Sequence, residues 1–334
     1  MIIINTIGGT FMKNKKYILP IFILILVSLL TACGGKETED TSANDNAEKK
    51  EDTSYTVEHA MGTTTIEKTP EKVVILTNEG TEALLALGVK PVGAVQSFTG
   101  DPWYDHIAED MKDVQVVGLE AAENINLEAI LALQPDLIIG NKMRQEAIYD
   151  QLSDIAPTVF AETLRGNWKE NFELYAKALN KEEKGQEVIA AYDERVASLK
   201  EQLGDKLNTK VSMVRFTPGE VRIYQKDSFS GVILEQLGFA RPERQDVNEF
   251  AIRDVTKEQI PLMEGDILFY FTYETGDNQA TELEKDWLED PIFKNLEVAK
   301  KGAIHKVNDV TWNTAGGVIA ANLMLDDIEN TFLK

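Results

Sequence analysis

The stretch LEAILALQPDLIIG, residues 127–140, holds one full alternation of structure. An acid opens a short helical run, Pro135 breaks it, Asp136 follows, and a continuous apolar run ends it. KEQIPLMEGDILFY, residues 257–270, repeats that order with Gly265 as the breaker. At one offset Glu128 pairs with Glu258, Ile130 with Ile260 and Asp136 with Asp266. Few other positions agree, so the echo is weak, yet it fits two similar lobes. A helix feeding a strand that is apolar on both faces is the unit of a parallel sheet.

Working outward, VVILT (73–77), VGAVQ (92–96), VQVVG (114–118), DLIIG (136–140) and PTVFA (157–161) are short apolar runs. Helical segments such as 81–87 and 127–133 separate several of them. The same pattern resumes in KVSMVRFT (210–217), VRIYQ (221–225), DILFYF (266–271) and IHKVN (304–308), with a last helix over 316–332. Between the two groups, 167–203 carries one apolar stripe. Phe172, Tyr175 and Leu179, then Val188, Ile189, Tyr192, Val196, Leu199 and Leu203, recur at spacings of three and four. This predicts a long helix, interrupted at most near Lys184–Gly185. At ~1.5 Å per residue such a helix crosses the whole molecule. The expected fold is α/β, with two lobes built on central, largely parallel sheets and joined by one long rigid α-helix. The expected limits are 55–166 for the N-lobe, 167–205 for the bridging helix and 206–334 for the C-lobe.

The N-terminus speaks of export. Tyr17 to Leu30 is almost wholly apolar, with Lys13, Lys15 and Lys16 ahead of it. A basic flank, a short apolar core and then small residues form a secretory signal, expected over 1–32 with its start at Met12. The run falls short of the roughly 30 Å hydrocarbon core, so cleavage is expected rather than a permanent span. Leu30-Thr31-Ala32-Cys33 matches the bacterial lipobox, and Cys33 is the single cysteine of the chain. Its expected role is lipidation, each buried CH₂ of the acyl chains contributing about 0.8 kcal/mol of anchoring. Residues 34–54 hold seven acids, three lysines and no apolar side chain larger than Ala. They cannot bury a core, so 33–54 reads as a lipid anchor and disordered tether.

The chain has 34 basic and 56 acidic residues, a net charge of −22. Losing the three signal lysines takes this to −25. Nucleic acid, which demands a basic surface, is excluded as a partner. No GxSxG, HExxH or Walker loop occurs, and the glycines of TPGE and TAGG are turn glycines with no Lys-Ser/Thr after them. The chain is therefore not expected to be an enzyme, and no cofactor is expected.

INLEAILALQPDLIIG, EGTEALLALGVKPVGAV (79–95), the long mid-chain helix and WNTAGGVIAANLMLDDIE (312–329) together resemble the iron–siderophore substrate-binding lipoproteins of ABC importers. The resemblance covers 55–334 and lies nearest the Gram-positive receptors for hydroxamate and citrate siderophores such as schizokinen. It implies a monomeric, lipid-anchored receptor on the extracellular face of the cell membrane, with a ferric siderophore held between the lobes and passed to an ABC permease. Haem, cobalamin, a catecholate siderophore or a Zn²⁺ or Mn²⁺ ion are the alternatives on the same fold. It also implies one permease-docking glutamate per lobe, which places the role on Glu82 in GTEALLALG and Glu235 in SGVILEQLG. For each, an ordinary solvated helix position is the competing reading.

A ferric citrate-type chelate is anionic, and so acidic a protein repels it unless the cleft is locally basic. Arginine suits the task, because its planar fork pairs carboxylates in bidentate fashion. Eight arginines follow the signal. Ligands of open α/β sheets bind beyond the carboxyl ends of the strands. Arg144 and Arg215 stand at such ends, Arg222 begins the return strand and alternates with Tyr224, and Arg165 follows PTVFA. Arg195, Arg241, Arg244 and Arg253 read as surface residues. Tyr273 and Trp312 also follow strands, and Phe98 and Trp103 lie in the loop after VGAVQ; these aromatics are candidates to cover apolar arms of the ligand. His59, His106 and His305 show no metal-ligand spacing, so no metal site is expected and the iron arrives held by its chelator.

Overall fold

The computed structural model describes residues 54–334. The signal run, Cys33 and the tether up to residue 53 lie outside the described residues. Among the described residues no helix is long and apolar enough to cross a membrane.

Strands β1 (Tyr55–His59) and β2 (Gly62–Ile66) form an antiparallel hairpin that the apolar-run pattern does not reveal. Next come β3 (Val73–Ile75), β4 (Gly93–Ala94), β5 (Gln115–Val116), β6 (Leu137–Asn141) and β7 (Thr158–Ala161). All pair in parallel, in the order β5-β4-β3-β6-β7. Helices α1 (Asn78–Ala86), α2 (Leu127–Leu133), α3 (Lys142–Gln145) and α4 (Tyr149–Ser153) connect them. Then α5 (Trp168–Ala178) and α6 (Glu182–Leu203) lead to the second sheet.

That sheet contains β8 (Val211–Thr217), β9 (Glu220–Tyr224), β10 (Ala251–Ile252), β11 (Ile267–Thr272) and β12 (Ile304–Lys306), in the order β10-β9-β8-β11-β12. Strands β8, β11 and β12 are parallel, while β9 runs antiparallel to both of its neighbours. Its helices are α7 (Phe229–Leu237), α8 (Gln279–Leu288), α9 (Pro291–Lys294), α10 (Glu297–Lys300) and the terminal α11 (Val318–Leu333).

The sequence echo has a physical basis. Asp136 accepts hydrogen bonds from the Glu71 and Lys72 amides just ahead of β3, and Asp266 accepts from the Lys210 amide just ahead of β8. Each aspartate sits before one strand and pins the start of its parallel neighbour. Ile130 and Ile260 are both fully buried. The helical run begins at the same point in each, capped by Asn126 on the Ala129 amide and by a reciprocal Thr256–Gln259 box.

The stripe over 167–203 forms two helices rather than one. The chain leaves α5 at Leu179, and Asn180 takes a left-handed conformation with φ 53° before α6 starts. Gly185 is no break. A Cβ there would lie 2.7 Å from the Ala176 Cβ, so glycine lets α5 and α6 approach closely. Helix α6 alone has 22 residues, about 33 Å at 1.5 Å rise. One continuous buried cluster includes Ile75 and Ile139 of the first sheet, Met213 and Phe269 of the second, and side chains of α5, α6 and α11.

Glu82 belongs to this core. It lies on α1 with no exposed surface, accepting from the Ala320 amide at 2.9 Å and pairing with His106 Nε2 at 2.5 Å. A carboxylate at the first turn of α11 satisfies an otherwise orphaned N–H and complements the helix dipole. The docking role expected of Glu82 is thereby overturned, since no partner can reach it. Glu82→Ala leaves the Ala320 amide and the His106 ring without their partner inside the core. Urea unfolding of the variant is expected to show a loss of about 2–4 kcal/mol; an unchanged midpoint would contradict the buried link.

Candidate functional site

A cavity of about 510 Å³ lies at the carboxyl ends of the strands of both sheets. The first sheet supplies Glu79 after β3, Phe98 after β4, Glu120 after β5, Met143 and Arg144 after β6, and Leu164 and Arg165 after β7. The second supplies Arg215 and Thr217 on β8, Arg222 and Tyr224 on β9, Arg253 after β10, Tyr273 after β11 and the 313–316 turn. Phe229 and Phe250 add apolar wall. This is where parallel α/β sheets leave loop backbone and helix starts free to meet a ligand.

Five of the chain's eight arginines line this space, in a protein of net charge −22. Each is held by a carboxylate. Arg215 is buried and makes a bidentate pair with Asp309, 2.6 Å from Nε and 3.0 Å from a terminal nitrogen. Its guanidinium also donates to the Tyr224 hydroxyl at 3.3 Å and lies 5.0 Å from the Tyr273 ring centre. Arg222 and Arg253 share one partner, Glu220, with Nε contacts of 2.7 and 2.9 Å. Burial works against the Glu220 charge, yet these two guanidinium groups hold its carboxyl down at about 2. Two cations over one anion leave a net positive charge there. Arg144 pairs with Glu120 at 3.3 Å and is half-exposed. Arg165, with φ 78°, stacks 4.2 Å from the Phe250 ring centre and reaches Asp227 only at 4.0 Å. Arg165 and Phe98 follow strands of one sheet and touch groups of the other, Tyr273 donating to the Phe98 carbonyl at 3.5 Å.

Of the expected contact residues, Arg144, Arg165, Arg215, Arg222, Tyr224, Tyr273 and Phe98 all come to this cavity. Trp312 and Trp103 do not. Trp312 is fully buried, packs 4.7 Å from Phe269 and donates its indole N–H to Asp327 at 2.8 Å. Trp103 is buried in the same core. Position after a strand was a poor guide for them, because each side chain fills space beneath the loop rather than above it. Arg253 was read as surface and lines the cavity; β10, only two residues long, escapes a pattern search, and it brings Phe250 and Arg253 to the site. Arg241, also read as surface, is buried and donates to the Val211 and Tyr224 carbonyls. Burial lowers its pKa to about 10. Arg195 pairs with Asp326 on α11.

The histidines have structural partners. His59 Nδ1 accepts from the Met61 and Phe160 amides, His106 serves Glu82, and His305 lies 5.6 Å from the Phe269 ring. Among the described residues no three His, Cys, Asp or Glu side chains are grouped to hold a metal ion.

A family model described as periplasmic binding protein matches residues 73–309. The "Probable siderophore-binding lipoprotein YfiY" of Bacillus subtilis is 54% identical over 96% of this chain and 99% of its own length. The Fe(3+)-citrate-binding protein YfmC of the same organism is 28% identical over 95% of this chain and 96% of its own. Among solved structures, SirA of Staphylococcus aureus complexed with staphyloferrin B superposes with a TM-score of 0.77 and 36% identity, over 83% of this chain and 98% of that one.

The shared Glu220 carboxyl sets a pH window. Its pKa is about 2 in the folded chain against an ordinary 4.5. The stabilisation is therefore complete above about pH 4.5 and is lost as pH falls toward 2. Urea midpoints followed across that window are expected to fall more steeply for the wild type than for Glu220→Gln; parallel curves would rule the linkage out.

Proposed function

The chain belongs to the periplasmic binding protein family, and we propose that it captures a ferric siderophore of the anionic hydroxamate–citrate type, such as schizokinen, and delivers it to an ABC permease. The observation that carries this reading is the set of five arginines around one cavity in a strongly acidic chain. A relative with 54% identity is described as siderophore-binding, and a structural neighbour holds staphyloferrin B, which supports a ferric chelate as the ligand class. Carboxylate and hydroxamate oxygens would take the guanidinium forks of Arg144, Arg165 and Arg222 in exchange for the protein's own carboxylates. Phe98, Phe229, Phe250 and Tyr273 would cover the chelator's apolar arms. The iron stays wrapped by its chelator. Cys33, once lipidated, would hold the receptor as a monomer on the outer face of the membrane.

With Glu82 withdrawn, docking falls to exposed glutamates. Glu235 on α7 is half-exposed and pairs with Lys226 at 2.7 Å. Glu128 and Glu258, equivalent in the repeat and one to each half, are exposed in the first turns of their helical runs. They are the pair we assign to two basic sites on the permease.

Calorimetric titration of residues 54–334 is expected to give 1:1, submicromolar binding of ferric schizokinen or ferric staphyloferrin B, and little binding of a neutral ferric trihydroxamate. Arg144→Ala and Arg222→Ala should each weaken binding ~10–100-fold. Preference for the neutral chelate, or unchanged affinity in both variants, would sink the anionic reading. The double variant Glu128→Lys, Glu258→Lys is expected to bind the chelate like the wild type yet to support at least tenfold slower iron uptake by cells. Normal uptake would remove these two residues from docking.

A further inference from the structure

Three of the cavity's arginines stand in a row across the second sheet. In the β8–β9 ladder Arg215 lies directly opposite Arg222. The β9–β10 ladder pairs Tyr224 with Ala251 and Ile223 with Ile252, and one further step of that register sets Arg253 opposite Arg222. The other face of the same strands holds the register. Val214, Phe216, Val221 and Ile223 are buried there in an apolar cluster against which Ile252 packs. A slip of one residue would turn the arginines into that cluster. Alternation therefore delivers Arg215, Arg222 and Arg253 to one face, and all three line the cavity.

Like charges directly opposite one another in a sheet destabilise it, so the row needs acids to hold it. Arg215 has its own in Asp309, which meets the fork with both oxygens. Arg222 and Arg253 have one between them. Glu220 lies two residues before Arg222 on β9, hence on the same face, and its side chain is largely buried. Arg222 meets only its Oε2, through Nε and Nη2. Arg253 spreads over both oxygens, with Nε 2.9 Å from Oε1 and Nη2 3.3 Å from Oε2. Nη1 of each arginine takes no part in these pairings and carries two further N–H donors. Both guanidinium groups line the cavity, whereas Glu220 does not.

We propose that Arg222 and Arg253 together form a subsite for one carboxylate of the chelator, received by the N–H groups that Glu220 leaves unspent. Glu220 is then a positioning residue, which keeps two like charges side by side on the cavity face. This rests on the siderophore reading above and adds Arg253 and Glu220 to it. Two guanidinium groups and one acid carry one unmatched positive charge, and a ligand carboxylate completes the count. Here the ligand joins Glu220 rather than replacing it. Two planar forks held in parallel suit a flat, charged oxyanion, and a neutral chelate leaves the charge unmatched, so the subsite selects by the ligand's free carboxylate.

The test measures dissociation constants for Arg253→Ala, Glu220→Gln and the double variant, with ferric staphyloferrin B and ferric schizokinen as probes and thermal melts to confirm folding at the assay temperature. Arg253→Ala should bind about tenfold more weakly or worse. The sign of the Glu220→Gln effect decides the role of the acid. Removing a negative charge from the wall of an anion site tightens binding if the charge acts only through space. A positioning role weakens it instead, by about fivefold or more. In the double variant Arg222 has no neighbour to be held beside, so its affinity should stay within about twofold of Arg253→Ala alone. Unchanged affinity in Arg253→Ala, tighter binding by Glu220→Gln, or losses that multiply in the double variant would overturn the proposal. If the wild type bound neither probe, the siderophore reading would fail and take the subsite with it, a result distinct from these because the variants would have no affinity to lose.

Discussion

The constraint on which the rest depends is that α5, α6, α11 and both sheets bury side chains in one shared core. A helix with one apolar stripe needs one cover, and α6 finds it in α5, α7 and α11, whose own apolar faces reach the two sheets. The result is one continuous cluster of buried side chains from Ile75 in the first sheet to Phe269 in the second. Glu82 adds a polar fastening inside it, joining α1 near the start of the fold to α11 at its end. Two lobes that share a core cannot separate freely, because opening them would expose close-packed apolar surface. On the cavity side the halves also meet through Tyr273 with the Phe98 carbonyl and through Arg165 with Asp227 and Phe250.

The electrostatics follow from the same economy of position. The chain is acidic nearly everywhere, and its few guanidinium groups gather where the strands end. None is left bare. A bidentate pair such as Arg215–Asp309 fixes the fork within the wall, and its burial makes it costly to disturb. Arg222 and Arg253 share a single carboxylate, and Arg165 reaches its partner only at 4.0 Å, so these are the cations with capacity to spare. The cavity thus divides into a fixed part around Arg215 and a part around Arg165, Arg222 and Arg253 whose charge is less fully matched. The Arg165–Asp227 pair, with both side chains partly exposed, contributes little by itself.

The fold was largely legible because buried parallel strands are written as continuous apolar runs. VVILT, DLIIG and DILFYF needed no context to be read. What escaped was short or polar. Each strand of the β1–β2 hairpin has one buried side chain, Val57 and Ile66, and β10 has two residues. The helix break near Asn180 escaped for another reason. An apolar stripe records which side chains face the core, and α5 and α6 face the same core on either side of a bend. Glycine misled here, since Gly185 serves close packing, while the turn itself is made by an asparagine in the left-handed region that asparagine tolerates.

The site was legible in its charges and less so in its aromatics, and the difference is physical. Five arginines at strand ends or on the paired β9–β10 edge reach the cavity, even where buried, as Arg215 is; Arg241, which follows α7, is buried instead by three acceptors. A tryptophan at the same place has a large apolar area to hide and turns inward whenever the loop leaves room, as Trp103 and Trp312 do. Glutamates are harder still. Glu79, Glu82 and Glu128 all lie in the first two turns of helices, all look like solvated acids in sequence, and end up in a cavity wall, in the core and on the surface. The internal repeat is what separates them. Glu128 has a counterpart at Glu258 that occupies the same exposed place on an equivalent frame, pinned by Asp136 and Asp266. Glu82 has instead a helix N-terminus waiting for it on α11. Which acid stays in solvent is decided by which backbone amides elsewhere in the chain need an acceptor, and that accounting becomes possible only once the chain is folded.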